Sequence, residues 1–173
     1  MILIIEKDIL KALVDRDIDG LVQQCNCLTK TSLGLSKQIE DRFPWVNIYK
    51  TRKKHSIPGT VTKFSRDSRD IFCLFGQWRP GKYKSIYWDK YPETENQSKP
   101  ETPVQRLVWF EQGLKEIMES IKIIKNQKSP YKLGLPFQIG CGLAGGFWPN
   151  YLEIIEKLQK EYQVYCTVTL YKI

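Results

Sequence analysis

Histidine is almost missing from this sequence, since His55 is the single one among 173 residues. The five cysteines are also not spaced for zinc. Cys25 and Cys27 have one residue between them, whereas zinc motifs usually have two or more and a second pair. We therefore expect neither a metal site nor a cofactor. The odd number of cysteines favours reduced thiols over a disulfide framework.

Long apolar runs are missing as well. No stretch approaches the ~20 apolar residues of a transmembrane helix. The N-terminus lacks the basic flank and the small-residue cleavage site of a signal peptide. These absences favour a cytoplasmic protein that has no membrane partner.

Acidic residues are fewer than basic ones. There are 19 of them against 27 lysines and arginines, and the formal net charge is +8. A basic surface attracts anions. We therefore expect an anionic partner, either a phosphate-bearing ligand or a nucleic acid.

The length and the composition are those of one globular domain, with 42% hydrophobic and 27% charged residues. Apolar or β-branched runs predict strands at Ile2–Ile5, Leu21–Cys27, Thr60–Phe64, Asp70–Phe75, Tyr131–Ile139 and Val164–Tyr171. Helical spacing of apolar residues predicts helices at 35–43, 103–124 and 149–162, with a short helix or turn at 7–14. This alternation predicts one three-layer α/β/α domain over residues 1–173, with a mixed, mostly parallel sheet of about six strands. We expect a monomer.

Residues 78–103 interrupt the alternation with four prolines and many charged and aromatic residues, and we predict a loop insertion there. Aromatic and basic side chains are interleaved in it, a composition typical of single-strand nucleic-acid binders. They are Trp78, Tyr83, Tyr87, Trp88 and Tyr91, with Arg79, Lys82, Lys84 and Lys90. A solvated loop whose aromatic rings pack on the domain is the favoured explanation, and nucleic-acid binding is the alternative.

The segment Leu135–Pro149 has the clearest functional pattern. A predicted strand is followed by four glycines within residues 140–146 and then by a predicted helix. Glycine lets the backbone approach a ligand closely, and a helix N-terminus adds unpaired N–H groups. The pattern predicts a loop that holds a phosphate or diphosphate, although it is neither a P-loop nor a dinucleotide fingerprint. A glycine-rich turn that packs helix on strand is the structural alternative.

A second strand-to-helix loop, Thr31–Ser36, follows the predicted strand Leu21–Cys27. Alone it is a weak signal, because Ser36 could simply cap the helix. Two such loops on neighbouring strands would form a crevice at the carboxyl ends of the sheet, where α/β proteins bind ligands.

These segments resemble a known family. Pro136–Trp148 is similar to the second phosphate loop of macro domains, in the branch whose sequence is roughly P-x-I-G-C-G-L-A-G-G-x-W. Lys7–Leu10, Gly20–Asn26 and Asn26–Gly34 resemble the family's acidic step after the first strand, its strand ending in asparagine, and its first phosphate loop. The resemblance covers most of the chain outside residues 78–103. It implies a macro-domain fold and the binding of ADP-ribose or a derivative.

The resemblance also implies residue roles. Asp8 would accept a hydrogen bond from the adenine amino group, beside the Ile9 backbone. Asn26 would touch the distal ribose and is the candidate catalytic residue, and Phe147 would pack on that ribose. Backbone amides in both loops would wrap the diphosphate, in the ligand-binding set Ser32, Gly34, Leu35, Gly140, Cys141, Gly142, Leu143, Ala144, Gly145 and Gly146. Without the resemblance, Asp8 fits a helix cap, Asn26 a turn former and Phe147 a core residue.

Two departures from the family bear on catalysis. Many relatives have an aspartate where Phe147 stands. Relatives that cleave ADP-ribose from acidic side chains or DNA have a nucleophilic lysine where this chain has Gly76-Gln77-Trp78. Leu74–Gln77 instead resembles macro proteins associated with ADP-ribose 1″-phosphate phosphatase activity.

The predicted function is therefore the binding of ADP-ribose or a derivative, with removal of phosphate from ADP-ribose 1″-phosphate. A non-catalytic ADP-ribose reader and an ADP-ribosyl hydrolase are alternatives. A basic single-strand nucleic-acid-binding domain is a third.

Overall fold

The structure is a computed structural model that describes residues 1–84, 101–124 and 126–173. In this part of the chain, strands and helices alternate. The strands are β1 (Leu3–Glu6), β2 (Gly20–Asn26), β3 (Val61–Arg66), β4 (Arg69–Gln77), β5 (Tyr131–Pro136) and β6 (Cys166–Lys172). The helices are α1 (Ile9–Val14), α2 (Leu35–Arg42), α3 (Pro103–Lys122) and α4 (Trp148–Tyr162).

The strands form a six-stranded sheet in the order β1-β6-β5-β2-β4-β3. Neighbouring strands are parallel except β3 and β4, which pair antiparallel at one edge. This mixed, mostly parallel sheet with four helices confirms the predicted fold class. Since β2 lies between β4 and β5, the loops that follow these three strands start from the same edge of the sheet.

Strand β4 shows how the layers are joined. Ile71, Cys73 and Phe75 pack with residues of α1 and α2, while Phe72 and Leu74 pack with residues of α3 and α4. All five side chains are buried, so this strand is buried on both faces. The period of two in strand side chains explains the split.

At the carboxyl edge of the sheet, two predicted strand ends differ from the observed ones by two residues or more. Strand β5 ends at Pro136 and not at Ile139, because the chain turns there: the Ile139 N–H donates to the Pro136 carbonyl at 3.1 Å. Strand β4 continues to Gln77, which pairs with Asn26. Both differences lie at the carboxyl edge of the sheet, where local turn bonds and pairing with a neighbour override the apolar pattern.

The described ends of the predicted insertion lie side by side. The Trp78 N–H, directly after β4, donates to the Glu101 carboxylate at 2.8 Å. Residues 85–100, which form most of the predicted loop, lie outside the described residues. No helix of the described chain has the length and hydrophobicity needed to cross a membrane.

Candidate functional site

A cavity of about 650 Å³ opens between the loops that follow β2 and β5. Its volume is within the range of small-molecule sites. Across it, a Cβ added to Gly34 would lie 3.9 Å from Leu143 Cδ1, so the two loops face each other closely. Leu33 and Leu143 are both exposed at its rim. The predicted crevice at the carboxyl edge is therefore present.

The loop after β5, residues 137–147, is called the glycine loop below. Backbone hydrogen bonds within the loop stabilise its conformation, and they use only some of its N–H groups. The bonds run from the N–H groups of Cys141, Gly145 and Gly146 to the carbonyls of Gln138, Gly142 and Gly140, over 2.9–3.1 Å.

Three consecutive N–H groups of the glycine loop are unpaired within the described residues. Gly142, Leu143 and Ala144 line the cavity, and their N–H groups have no hydrogen-bond partner within the described residues. Consecutive free amides at a concave wall form an anion-binding surface. A Cβ at Gly142 would meet nothing within 4 Å, so this position faces open space.

The opposite wall is the start of α2. Gly34, with φ of +57°, precedes the helix and is its N-cap, so Ser36 does not cap the helix. The N–H groups of Gly34, Leu35 and Ser36 have no partner in the part of the chain described here, and all three residues line the cavity. The cavity therefore has unpaired donors on both walls.

Asn26 lines the cavity, but its side chain holds a local turn. Its Oδ1 accepts from the N–H groups of Leu28 at 3.1 Å and Thr29 at 2.9 Å. Its Nδ2 donates to Thr29 Oγ1 at 3.0 Å. This geometry is that of a turn former.

Asp8 and Ile9 do not line the cavity. Asp8 Oδ1 accepts from the N–H groups of Leu10 at 2.7 Å and Lys11 at 3.0 Å and so caps α1. Ile9 is buried in the core. This geometry is that of a helix cap.

Ser32 is also directed away from the cavity. Its hydroxyl donates to Glu40 Oε2 at 2.7 Å, and both residues are buried. Cys141, Gly145 and Gly146 belong to the glycine loop but lie off its cavity-lining face. Phe147 is 67% exposed before α4, so it is not a core residue.

The described lining of the cavity contains no carboxylate, histidine, lysine or arginine. Tyr49 is the one residue there with an ionisable oxygen, and burial raises the pKa of its phenol above the ordinary range. Burial also raises the pKa of the nearby Cys141 thiol to about 11, so this thiol is protonated at neutral pH. The lining thus offers neutral donors and acceptors, and no group poised for acid–base chemistry.

Metal ligands were not expected from the sequence. Within the described residues there is no group of three or more His, Cys, Asp or Glu side chains placed to hold an ion. All five cysteines are free thiols.

Two glutamines at the floor of the cavity were missed by the sequence analysis. Gln24 Nε2 donates to Gln77 Oε1 at 2.7 Å, and Gln77 Nε2 donates to the Arg79 carbonyl at 2.7 Å. Both glutamines line the cavity. The available signal was a polar residue near the carboxyl end of an otherwise apolar strand, in β2 and again in β4.

One of the aromatic residues on which the nucleic-acid alternative depends is buried. Trp78 is only 3% exposed and lies 5.7 Å from His55 between ring centroids, so it cannot stack on a base. Tyr83 is half-buried. Tyr87, Trp88, Lys90 and Tyr91 lie outside the described residues.

No family model and no curated protein matches the sequence. Solved structures do match. A macrodomain protein from Streptomyces coelicolor is 15% identical, with a TM-score of 0.54 over 89% of this chain and 87% of that chain. A structure of alphavirus P23pro-zbd is 16% identical, with a TM-score of 0.54 over 99% of this chain and 22% of that one. The match to the Streptomyces coelicolor protein shows that the chain has a macrodomain fold.

Proposed function

We propose that the cavity binds ADP-ribose or a derivative of it, and that the protein is a binding module. The observation that carries the proposal is the pair of facing walls with unpaired N–H groups, at residues 34–36 and 142–144. A diphosphate has several acceptor oxygens, and backbone donors at a helix N-terminus and a glycine loop suit it. The macrodomain fold and the family resemblance of the loops support this choice of ligand.

The chemistry of the lining favours binding over hydrolysis. Release of phosphate from ADP-ribose 1″-phosphate requires an activated water, and a positioned base commonly supplies the activation. The described lining residues hold no such base, and the Asn26 side chain is engaged with Leu28 and Thr29. An ADP-ribosyl hydrolase with a lysine nucleophile is disfavoured, because this chain has Gly76-Gln77-Trp78 where such relatives have the lysine.

Calorimetric titration with ADP-ribose tests the binding proposal, and a phosphate-release assay on ADP-ribose 1″-phosphate tests the catalytic alternative. We expect saturable one-to-one binding and no phosphate release above the rate without protein. Absence of binding would contradict the proposal. Release of phosphate would make the protein a phosphatase. Binding of an oligonucleotide that weakens steeply with salt, without binding of ADP-ribose, would favour the nucleic-acid alternative.

A further inference from the structure

Two buried arginines are bonded to backbone carbonyls of residues that line the cavity. Arg52 donates from Nη2 to the Asn26 carbonyl at 2.8 Å and from Nη1 to the Thr29 carbonyl at 2.9 Å. Arg106 donates from Nη1 to the Ala144 carbonyl at 3.2 Å. Neither arginine lines the cavity. Both are therefore placed to act through the wall rather than on a ligand directly.

The two arginines differ in how their charge is balanced. Arg106 forms a buried ion pair with Glu101, with 3.0 Å between Nε and Oε1. Arg52 is 92% buried, being 8% exposed, and no carboxylate of the described residues lies within 4.0 Å of it. It stacks over Tyr49 and Phe75, at 5.2 and 5.7 Å from the ring centroids.

The buried Arg52 Nε has no hydrogen-bond partner in the described chain. A buried charge without a counter-ion costs free energy. An anion bound against the wall formed by Asn26 and Thr29 would offset part of that cost. Arg52 also holds two carbonyl oxygens, whose negative ends would otherwise be free to repel such an anion.

We propose that Arg52 is a positioning residue that makes the cavity selective for anionic ligands. It acts in two ways: it binds the carbonyls of Asn26 and Thr29, and it places behind these two residues a positive charge that no carboxylate of the described residues pairs. The inference rests on the proposed function, because the diphosphate of ADP-ribose is the anion on which Arg52 acts. It goes beyond that function by naming the source of the charge preference in a cavity whose described lining carries no cation.

The test compares a charged ligand with an uncharged one. ADP-ribose and adenosine share a nucleoside, and adenosine has no phosphate. Affinities are measured for the unmodified protein, Arg52→Met, Arg52→Lys and the control Lys53→Gln, by calorimetry for ADP-ribose and by NMR titration for adenosine. Lys53 is the exposed neighbour of Arg52, so the control removes the same charge from the surface.

We expect Arg52→Met to weaken ADP-ribose binding about tenfold while changing adenosine binding less than twofold. Arg52→Lys keeps the charge but cannot form the same paired bonds, and we expect an intermediate loss. Lys53→Gln should bind as the unmodified protein does. If Arg52→Met does not fold, Arg52→Lys still tests the paired carbonyl bonds, because we expect it to weaken ADP-ribose binding more than adenosine binding.

Equal losses for both ligands would overturn the inference, because they would show a structural role alone. Unchanged ADP-ribose affinity in Arg52→Met and Arg52→Lys would also overturn it and leave the proposed function standing. Failure of the unmodified protein to bind ADP-ribose would overturn both. The two failures are therefore distinguishable.

Discussion

Lys82 lies directly against Gly145: a Cβ added to Gly145 would stand 2.5 Å from Lys82 Cγ. The φ of Gly145 is +70°, in the left-handed region that favours glycine. The sequence alone predicts that a side chain at this position would project into the ligand space. The structure corrects this, because Gly145 faces the Lys82 stem and does not line the cavity. Gly145 therefore supports the shape of the glycine loop, and Gly142 faces the ligand space.

Replacing Gly145 should reduce stability. We expect Gly145→Ala to lower the free energy of unfolding by about 1–2 kcal/mol, from the left-handed backbone and the contact with Lys82. Gly142→Ala is the matched control, since its Cβ enters open space. Urea unfolding of both variants measures the difference. Equal midpoints would contradict the account of Gly145.

Replacing Gly142 with aspartate should weaken binding without unfolding the protein. Gly142→Asp places a carboxylate beside the free amides of Leu143 and Ala144, where it repels a diphosphate and competes for its donors. We expect at least a tenfold loss of ADP-ribose affinity and an unchanged melting temperature.

Lys160→Gln is the control for Gly142→Asp, because it makes the same change in net charge at an exposed position of α4. Calorimetry that gives Gly142→Asp the affinity of the unmodified protein would show that the amides of this loop do not bind the ligand.

Two variants of Asp8 separate its cap from its predicted contact with adenine. Asp8→Ala removes the α1 cap and should cost about 1 kcal/mol of stability, whereas Asp8→Asn keeps a capping oxygen. If the carboxylate also binds the adenine amino group, Asp8→Asn should weaken ADP-ribose binding about tenfold at unchanged stability. Thermal unfolding and calorimetry on both variants provide the comparison. Unchanged affinity in Asp8→Asn would leave Asp8 with its capping role alone.

The thiol of Cys141 should react slowly at neutral pH. Burial raises its pKa to about 11, and the thiolate is the reactive form. The alkylation rate of the native protein should therefore rise with pH up to about 11. Mass spectrometry after timed iodoacetamide treatment measures this rate, with the fully buried Cys166 as the unreactive reference. Rapid labelling of Cys141 at pH 7 would contradict the assigned environment.

Local patterns predicted the parts of this molecule that depend on neighbouring residues. The apolar run of β4 and the glycines at 140–146 are visible in a few residues of sequence, and the strand and the loop are where those patterns indicate. The floor of the cavity was not predictable in that way, because Gln24 meets Gln77 across 53 positions. The burial of Arg52 was equally unpredictable. Arg52 adjoins Lys53 and Lys54 in a basic segment, and only the fold shows that Arg52 is buried while the two lysines are exposed.

We propose that the free amides of the glycine loop bind the diphosphate of ADP-ribose. An NMR titration of 15N-labelled protein measures those amides directly. We expect the N–H signals of Gly142, Leu143 and Ala144 to shift on titration and to saturate at the affinity found by calorimetry. The signals of Gly59 and Gly113, which do not line the cavity, should stay in place. Saturable binding of ADP-ribose that leaves the three loop signals unshifted would contradict the account.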